Sequence, residues 1–447
     1  MASYLLQIGK SGAMAARAAL ELTGQNIANS GNADYVRRSL SLADMTPTGQ
    51  VAYHQATVAG SGVRVDRVAR SDATILFAQA RQAGSDLARA TAELSGLREA
   101  ERSVEQAGIH PALVEFEAAL GALRGDPLSP ALRAQVLERG RVLADSVRLA
   151  DSGLAGAMER ARFEAQGGIA AVNTDAGELA RLNGALLRAR EGTAGHAALL
   201  DRRDALLGRL AEQAAITVEY NARGMVDVRL GDGTGAYLVS GTAASTLAGT
   251  AQPDGTFAFS LGAAPVNMAG GALAGHAQAL FAQRDARAGV EALATSLIAA
   301  VNAAQGSGVT PAGAPGAPFF AGSGAGDMTL VLADGAGIAT APAGAGPQSR
   351  STANLDTLRA ALAGAGGPVA EADALLNRLS QAVAGRSVTQ EVLATVAESA
   401  RGALQAETAV DLDAEAANLL RFQQAFQASG RVIQAAAEVF DTILGIR

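Results

Sequence analysis

The chain has 447 residues and a formal net charge of −7, which is enough length for two or three domains with their own cores. An acidic chain without a basic run argues against a nucleic-acid-binding surface. Because the chain has no cysteine, disulfides and thiolate chemistry are excluded, and zinc would have only four scattered histidines and carboxylates as ligands. Only 4% of the residues are aromatic and alanine dominates the apolar ones, a composition that favours closely packed helices.

The first predicted element is a helix over residues 4–29, which the turn-forming residues 29–32 end. Its apolar positions are periodic and are interrupted by Lys10, Arg17 and Glu21, so it lacks the continuous apolar block of a cleaved signal peptide. No stretch of the chain reaches the roughly 18 uncharged apolar residues that a membrane span needs. We therefore expect no membrane insertion and, if the protein leaves the cytoplasm, export without a cleaved leader.

Short extended pieces follow, and long helical regions come after them. A turn is predicted at Thr46-Pro47-Thr48-Gly49 and an alternating strand over residues 62–68. The predicted helices cover residues 71–106, 111–124, 129–191 with possible breaks at Gly153 and Gly167-Gly168, and 196–214. Two long helices joined by a short one indicate a helical bundle.

The apolar period changes to two between residues 215 and 268, which predicts a small antiparallel β module. Its strands are expected at residues 216–220, 226–230 and 237–239, separated by glycine turns. The later elements are a helix over 275–305, a strand over 328–332, a helix over 354–362 and interrupted helix from 369 to the end. The predicted fold class is mainly α with a smaller β part, an α+β protein.

Both ends of the chain carry heptad rows of apolar residues, the pattern by which one helix packs along another. The N-terminal row is Leu6, Ala13, Leu20 and Ile27, with small Gly9, Ala16 and Thr23 three positions further on. The C-terminal row is Leu412, Leu419, Phe426, Ile433 and Phe440, and a second row contains Phe422, Ser429, Ala436 and Ile443. We predict that the two large-residue rows, with Phe422 and Ile443, form an assembly interface as a coiled coil. The alternative is a pair of amphipathic helices within an ordinary bundle.

Candidate chemical sites are few. The glycine-rich stretch 231–235 lacks the lysine and following helix of a phosphate loop and the glutamate of a calcium loop, so a hairpin turn is favoured. His196 lies near Asp201 and Asp204 on one predicted helix, without a serine or cysteine in a nucleophile-type turn. We interpret these residues, with the two arginines between the aspartates, as a salt-linked polar helix surface. No catalytic residue, metal ligand or cofactor is predicted.

Motifs at both ends resemble those of bacterial flagellar axial proteins, the rod, hook and hook-associated proteins. Residues 23–30, TGQNIANS, followed by Tyr35-Val36-Arg37-Arg38, are similar to the family's NNIAN stretch and its following GY and basic residue. Gln25 replaces the first Asn of that stretch, and Asp34 replaces the Gly. The C-terminal stretches 419–428 and 439–444 resemble the family's closing helix.

Three middle segments resemble the hook-associated branch of this family. They are LLDRRDALL at 199–207, GGALAG at 270–275 with the helix after it, and Pro318-Phe319-Phe320 before a strand. The resemblance implies a subunit of the hook–filament junction, outside the cell, exported unfolded through the flagellar type III pathway. The implied partners are copies of itself, the hook protein, the second hook-associated junction protein, and a cytoplasmic export chaperone that holds the C-terminal helix.

The predicted domains follow from this reading. Residues 1–40 and 406–447 form a terminal coiled-coil assembly domain, 41–214 and 269–405 an elongated helical bundle with a few strands, and 215–268 an outer β module. Because isolated helices are marginal in water, we expect both terminal helices to be mobile in the monomer and to fold in the assembly. Alternatives are another axial protein (second junction protein, hook or rod subunit) or a coiled-coil adaptor. An enzyme is disfavoured because 215–268 is small and lacks a catalytic set.

Overall fold

The structure, a computed structural model, describes residues 2–45, 62–231 and 233–444. The helices in these ranges are α1 (Ala2–Ala28), α2 (Thr74–Ala107), α3 (Ile109–Gly125), α4 (Pro130–Arg188), α5 (Ala194–Gln213), α6 (Gly271–Gly306), α7 (Ala353–Ala363), α8 (Pro368–Thr408) and α9 (Leu412–Leu444). The strands in them are β1 (Arg38–Asp44), β2 (Val63–Arg70), β3 (Ile216–Tyr220), β4 (Val226–Leu230), β5 (Tyr237–Ser240), β6 (Ala243–Ala244), β7 (Leu247–Ala251), β8 (Phe257–Leu261), β9 (Ala264–Val266), β10 (Gly308–Val309), β11 (Phe320–Ala321), β12 (Thr329–Leu330) and β13 (Ala341–Pro342). The mainly α fold with a smaller β part is confirmed. The turn predicted at 46–49 lies outside the described residues, as does Asp232 of the predicted hairpin turn.

The chain divides into two compact units, with boundaries that fall inside α2, α4 and α8 and between β6 and β7. The first comprises Met1–Gly84, Val172–Thr246 and Thr395–Arg447, and the second comprises Ser85–Ala171 and Leu247–Ala394. The segment predicted to be one β module, 215–268, forms two antiparallel sheets, β3-β4-β5-β6 in the first unit and β7-β8-β9 in the second. In these sheets β6 pairs with β5, and β7 pairs with β8. The three-domain division of the whole chain stays a prediction.

The first unit contains α1, α9, α5 and the two-stranded sheet of β1 and β2. This sheet pairs Arg38 with Arg70 and has a bulge between Ser41 and Leu42. Helix α1 packs against both strands and against α9. The unit therefore brings the N-terminal motif, the C-terminal helix and the LLDRRD helix together.

The second unit has a core of helices α3, α4, α6, α7 and α8 around an aromatic cluster. The ring of Phe116 lies 5.6 Å from that of Phe319 and 6.2 Å from that of Phe320. Both Phe319 and Phe320 belong to the Pro-Phe-Phe segment identified in the sequence. This segment therefore forms part of the core of the unit.

Helix α4 continues without interruption through the glycines at which breaks were predicted. A glycine inside a helix costs about 1 kcal/mol relative to alanine, which packing on the helix flanks can offset. A Cβ atom on Gly153 would lie 3.2 Å from Cβ of Ser103 on α2, so this glycine lets the two helices approach closely. The predicted breaks are wrong because the sequence shows the cost of glycine but not the packing that offsets it.

Among the helices that the structure describes, none combines the length and the apolar composition that a membrane-spanning helix needs.

Candidate assembly surface

Helices α1 and α9 pack against each other in antiparallel orientation. A Cβ atom on Gly9 would lie 2.8 Å from Cγ1 of Ile433 and 3.2 Å from backbone atoms of Ile433 and Ser429. A Cβ atom on Gly12, one turn later in α1, would lie 2.8 Å from Oγ of Ser429. From Gly9 to Gly12 of α1, the residue contacted on α9 shifts from Ile433 toward Ser429, that is, toward the N-terminus of α9. The two helices therefore run antiparallel.

The contact between the two helices uses their rows of small residues. Gly9, Ala16 and Thr23 of α1 are buried, and so is Ala436 of α9. Small side chains let two helix backbones approach closely, and a larger residue in these rows would push the helices apart. The small row of α1 therefore allows the close approach, and Ile433 of the predicted large-residue row of α9 contacts it at Gly9.

The predicted large-residue rows stay partly open to solvent. Four of them are exposed, by 46% at Leu6, 52% at Leu412, 44% at Phe426 and 54% at Phe440. Six are half-buried: Ala13, Leu20, Ile27, Leu419, Phe422 and Ile433. Ile443 belongs to α9, but its side chain lies outside the described residues. The paired ends thus keep several large apolar side chains exposed to solvent.

Further exposed apolar residues extend this surface beyond the predicted rows. They are Tyr4, Leu5, Ile8, Met14, Leu420, Val432 and Val439. Heptad spacing alone did not identify them, because they fall outside the a and d positions. Exposed apolar residues are normal where they are scattered, whereas these are concentrated on one pair of packed helices.

The N-terminal motif ends α1 with a buried polar network around Asn26. The Nδ2 of Asn26 donates to the backbone oxygen of Arg38 at 2.9 Å, and the hydroxyl of Tyr35 donates to Oδ1 of Asn26 at 2.7 Å. Burial raises the pKa of Tyr35, while the nearby Arg38 guanidinium acts in the opposite direction. The Asn of the NIAN stretch and the Tyr after it are therefore structural partners that turn the chain from α1 into β1.

Two arginines of the β1–β2 sheet form ion pairs with the aspartates of α5. Arg38 donates to Asp201 at 2.7 Å, and Arg70 donates to Asp201 and to Asp204, each at 2.7 Å. Asp201 is only 8% exposed and Asp204 only 6%. The predicted salt link is confirmed, since Asp204 also pairs with Arg203, but the prediction of an exposed helix surface is wrong because these side chains are buried. The cause is the strand register, which places Arg38 beside Arg70 opposite α5 and cannot be seen in local periodicity.

His196 and Arg202 of α5 have partners other than these aspartates. His196 bonds through Nε2 to the backbone oxygen of Arg223 at 3.1 Å, and Arg202 forms an ion pair with Glu178. His196 therefore does not share a hydrogen bond with the aspartates. In the described ranges, no three His, Asp or Glu side chains are grouped as metal ligands.

The same N-terminal motif also contacts the end of α8 and the start of α9. The backbone N–H of Arg37 donates to the oxygen of Thr408 at 2.9 Å, and its Nε donates to Glu415 at 2.8 Å. The side chain of Glu415 is almost fully buried. Adjacent arginines thus hold two different helices, since Arg37 binds α9 while Arg38 binds α5.

Family models match two regions that contain these elements. The model described as the flagellar hook-associated protein FlgK helical domain matches residues 98–320. The model described as the flagellar basal body rod FlgEFG protein C-terminal region matches residues 401–446, which include all of α9. The chain belongs to the flagellar hook-associated protein FlgK family. No curated protein matches the chain.

One solved structure similar to this FlgK-family chain is that of the flagellar hook junction protein FlgK from Burkholderia pseudomallei. It is 24% identical over 54% of this chain and 46% of that protein, with a TM-score of 0.49. The match thus spans less than half of that protein. In this chain, the rod-type C-terminal model includes every C-terminal residue of the predicted interface, from Leu412 to Ile443.

Proposed function

We propose that this chain is a structural subunit of the bacterial flagellum that forms the junction between hook and filament by self-assembly. The observation that carries the proposal is the group of large apolar side chains that stay exposed on the α1–α9 pair. Membership of the FlgK family supports the location, and the match of a rod-type C-terminal model to α9 supports an assembly role for that helix.

These exposed apolar side chains provide the driving force for assembly. Burying one large side chain of this kind contributes roughly 1.5–3 kcal/mol, less the entropy of ordering. Leu6, Leu412, Phe426 and Phe440 all remain accessible while α1 and α9 are paired. Their burial against neighbouring copies therefore favours the assembled state without first requiring the helix pair to separate.

The proposed partners are copies of this chain, the hook protein below and the second hook-associated junction protein above. A cytoplasmic export chaperone would hold α9, the helix that carries the most exposed apolar residues. Such shielding prevents premature assembly. The proposed route is type III export without a cleaved signal peptide, and the proposed location is the extracellular flagellum. The role is structural rather than enzymatic.

Electron microscopy of a deletion strain tests the location. We expect bare hooks on the cells and filament protein lost to the medium, and re-expression of the chain should restore attached filaments. The nearest alternative is a rod or hook subunit, which the rod-type C-terminal match favours. That alternative predicts loss of the hook itself, so intact bare hooks would exclude it.

The Phe426→Asp variant tests the surface. The charge should leave secretion and thermal unfolding of the monomer nearly unchanged, because Phe426 is exposed, but it should abolish junction formation. Gln427→Asp is the matched control, since Gln427 is an exposed neighbour outside the heptad rows, and it should leave filaments attached. Attached filaments in the Phe426→Asp strain would contradict the proposed interface.

A further inference from the structure

A small cavity lies where α1, β1 and α9 meet in the first unit. Its volume is about 180 Å³, and Arg37, Arg38, Glu415, Asn418 and Arg421 line it. Two of the three arginines already have carboxylate partners: Arg37 pairs with Glu415, and Arg38 pairs with Asp201. Within the described ranges, Arg421 has no ion-pair partner, and its guanidinium lies over the ring of Phe422, 4.9 Å from the ring centre. The cavity edge therefore carries one cation that nothing in the described chain neutralises.

The opposite end of α9 carries two carboxylates without a cationic partner among the described residues. Glu438 and Asp441 are exposed and have no ion-pair partner among the residues that the structure describes. Carboxylates three positions apart on a helix repel each other, and the negative end of the helix dipole disfavours both of them. These two charges destabilise the end of α9, so a cationic partner there would stabilise it.

We propose that Arg421 of one copy pairs with Glu438 and Asp441 from α9 of a second copy. This inference rests on the proposed function, self-assembly through the terminal helices, and adds the contact that sets the register. Arg421 and Glu438 are 17 positions apart on one helix, so the pairing offsets neighbouring copies by about 25 Å along the helix axis.

The geometry allows this contact to repeat from one copy to the next. Positions 17 apart lie about 100° apart around a helix, so the cation and the carboxylates occupy different faces of α9. Each copy can therefore offer its Arg421 to one neighbour and its acidic end to another. A heterologous contact of this kind propagates along an assembly, whereas a self-complementary contact would close as a dimer. The exposed Val432 and Val439 of α9 supply apolar area near the acidic end.

Charge reversal in the deletion strain tests the pairing. Cells express Arg421→Glu, Glu438→Arg with Asp441→Arg, or all three substitutions in the full-length chain. We count attached filaments and measure the subunit secreted to the medium. Each one-sided reversal should reduce attached filaments roughly ten-fold without reducing secretion, since close charge pairs govern register and partner choice. The triple variant, which exchanges the charges, should restore filaments to within about two-fold of wild type.

Arg431→Glu is the matched control, because Arg431 is an exposed arginine of the same helix that does not line the cavity. It should leave filaments unchanged. The pairing is overturned if Arg421→Glu supports normal filaments, or if the triple variant is no better than the one-sided reversals. In either case, failure of Phe426→Asp to attach filaments would leave the proposed function standing. Attached filaments in the Phe426→Asp strain would instead overturn the proposed function and this pairing with it.

Discussion

Gly9 of α1 lies so close to Ile433 of α9 that a Cβ atom on the glycine would be 2.8 Å from Cγ1 of the isoleucine. Backbone atoms of Ile433 and Ser429 would be only 3.2 Å from the same Cβ, so rotation of one side chain cannot relieve the contact. Glycine at this position sets the distance between the two terminal helices. The close approach accompanies burial of the small row of α1, Gly9, Ala16 and Thr23, while four large residues of the predicted rows stay exposed: Leu6, Leu412, Phe426 and Phe440.

Gly9→Leu should therefore separate α9 from α1. We expect faster amide hydrogen exchange over residues 425–440, with little change in the second unit. Gly12→Ala should have a smaller effect because its close neighbour is the movable Oγ of Ser429. Gly24→Ala is the control, since nothing lies within 4 Å of its Cβ position, and it should slow exchange slightly by stabilising α1. Equal exchange in the Gly9→Leu and wild-type proteins would show that the helices do not pack as closely as described.

Asp201→Asn should destabilise the first unit strongly. The substitution leaves Arg38 and Arg70 buried with one carboxylate fewer, and breaking a buried ion pair in this way costs about 3–5 kcal/mol. Urea unfolding, followed by circular dichroism, measures the change in the free energy of unfolding. Glu138→Gln removes an exposed pair with Arg141 and should change that free energy by less than about 1 kcal/mol. Similar losses in both variants would argue against a special role for the buried pair.

Gly275→Ala should destabilise the second unit by separating α6 from α2. A Cβ atom there would lie 2.3 Å from the backbone oxygen of Arg89 and 2.7 Å from Cβ of Ala92. We expect a loss of about 1–3 kcal/mol, typical of overpacking, and a lower melting temperature. Gly402→Ala in α8 meets no atom within 4 Å and should gain about 0.5–1 kcal/mol. A neutral Gly275→Ala would mean that α2 and α6 can move apart freely.

The free energy of unfolding should decrease as the pH falls from about 7 to about 5, because of His276. Burial lowers the pKa of His276 below its ordinary value, although the nearby Glu164 partly opposes the shift. As the pH falls through the ordinary histidine pKa of about 6.5, the unfolded chain binds a proton that the folded chain does not, so the free energy of unfolding decreases. The difference in the free energy of unfolding between pH 7.5 and pH 5.5 should be smaller in His276→Gln than in the wild-type protein. An unchanged difference would assign the pH dependence to other groups.

Limited proteolysis tests whether the terminal helices are mobile in the dilute monomer. We predict trimming of both ends and survival of a core of about residues 45–400, because the α1–α9 pair leaves much of its apolar surface uncovered. Mass spectrometry of the fragments locates the cuts. Resistant ends under conditions that digest exposed loops would show that the pair is already stable before assembly.

Patterns of residues close together in the sequence were enough to predict several helices and strands and the resemblance to a family. Heptad spacing identified α1 and α9 as the elements that pack along each other, since a helix presents every seventh residue on one face regardless of its surroundings. Alternation identified β3, β4 and β5, and the terminal motifs placed the chain among the flagellar axial proteins. These features depend on residues close together in sequence, so the sequence alone reveals them.

Tertiary structure decided which face of each helix is used and which charges are buried. The heptads of α1 are equally compatible with packing through Leu20 or through Thr23, and only the close approach at Gly9 selects the small row. Asp201 looks like a surface residue within its own helix, because its counter-charges come from Arg38 and Arg70, more than a hundred positions away. Contacts of that kind depend on where the fold brings distant segments together, and local periodicity contains no information about them.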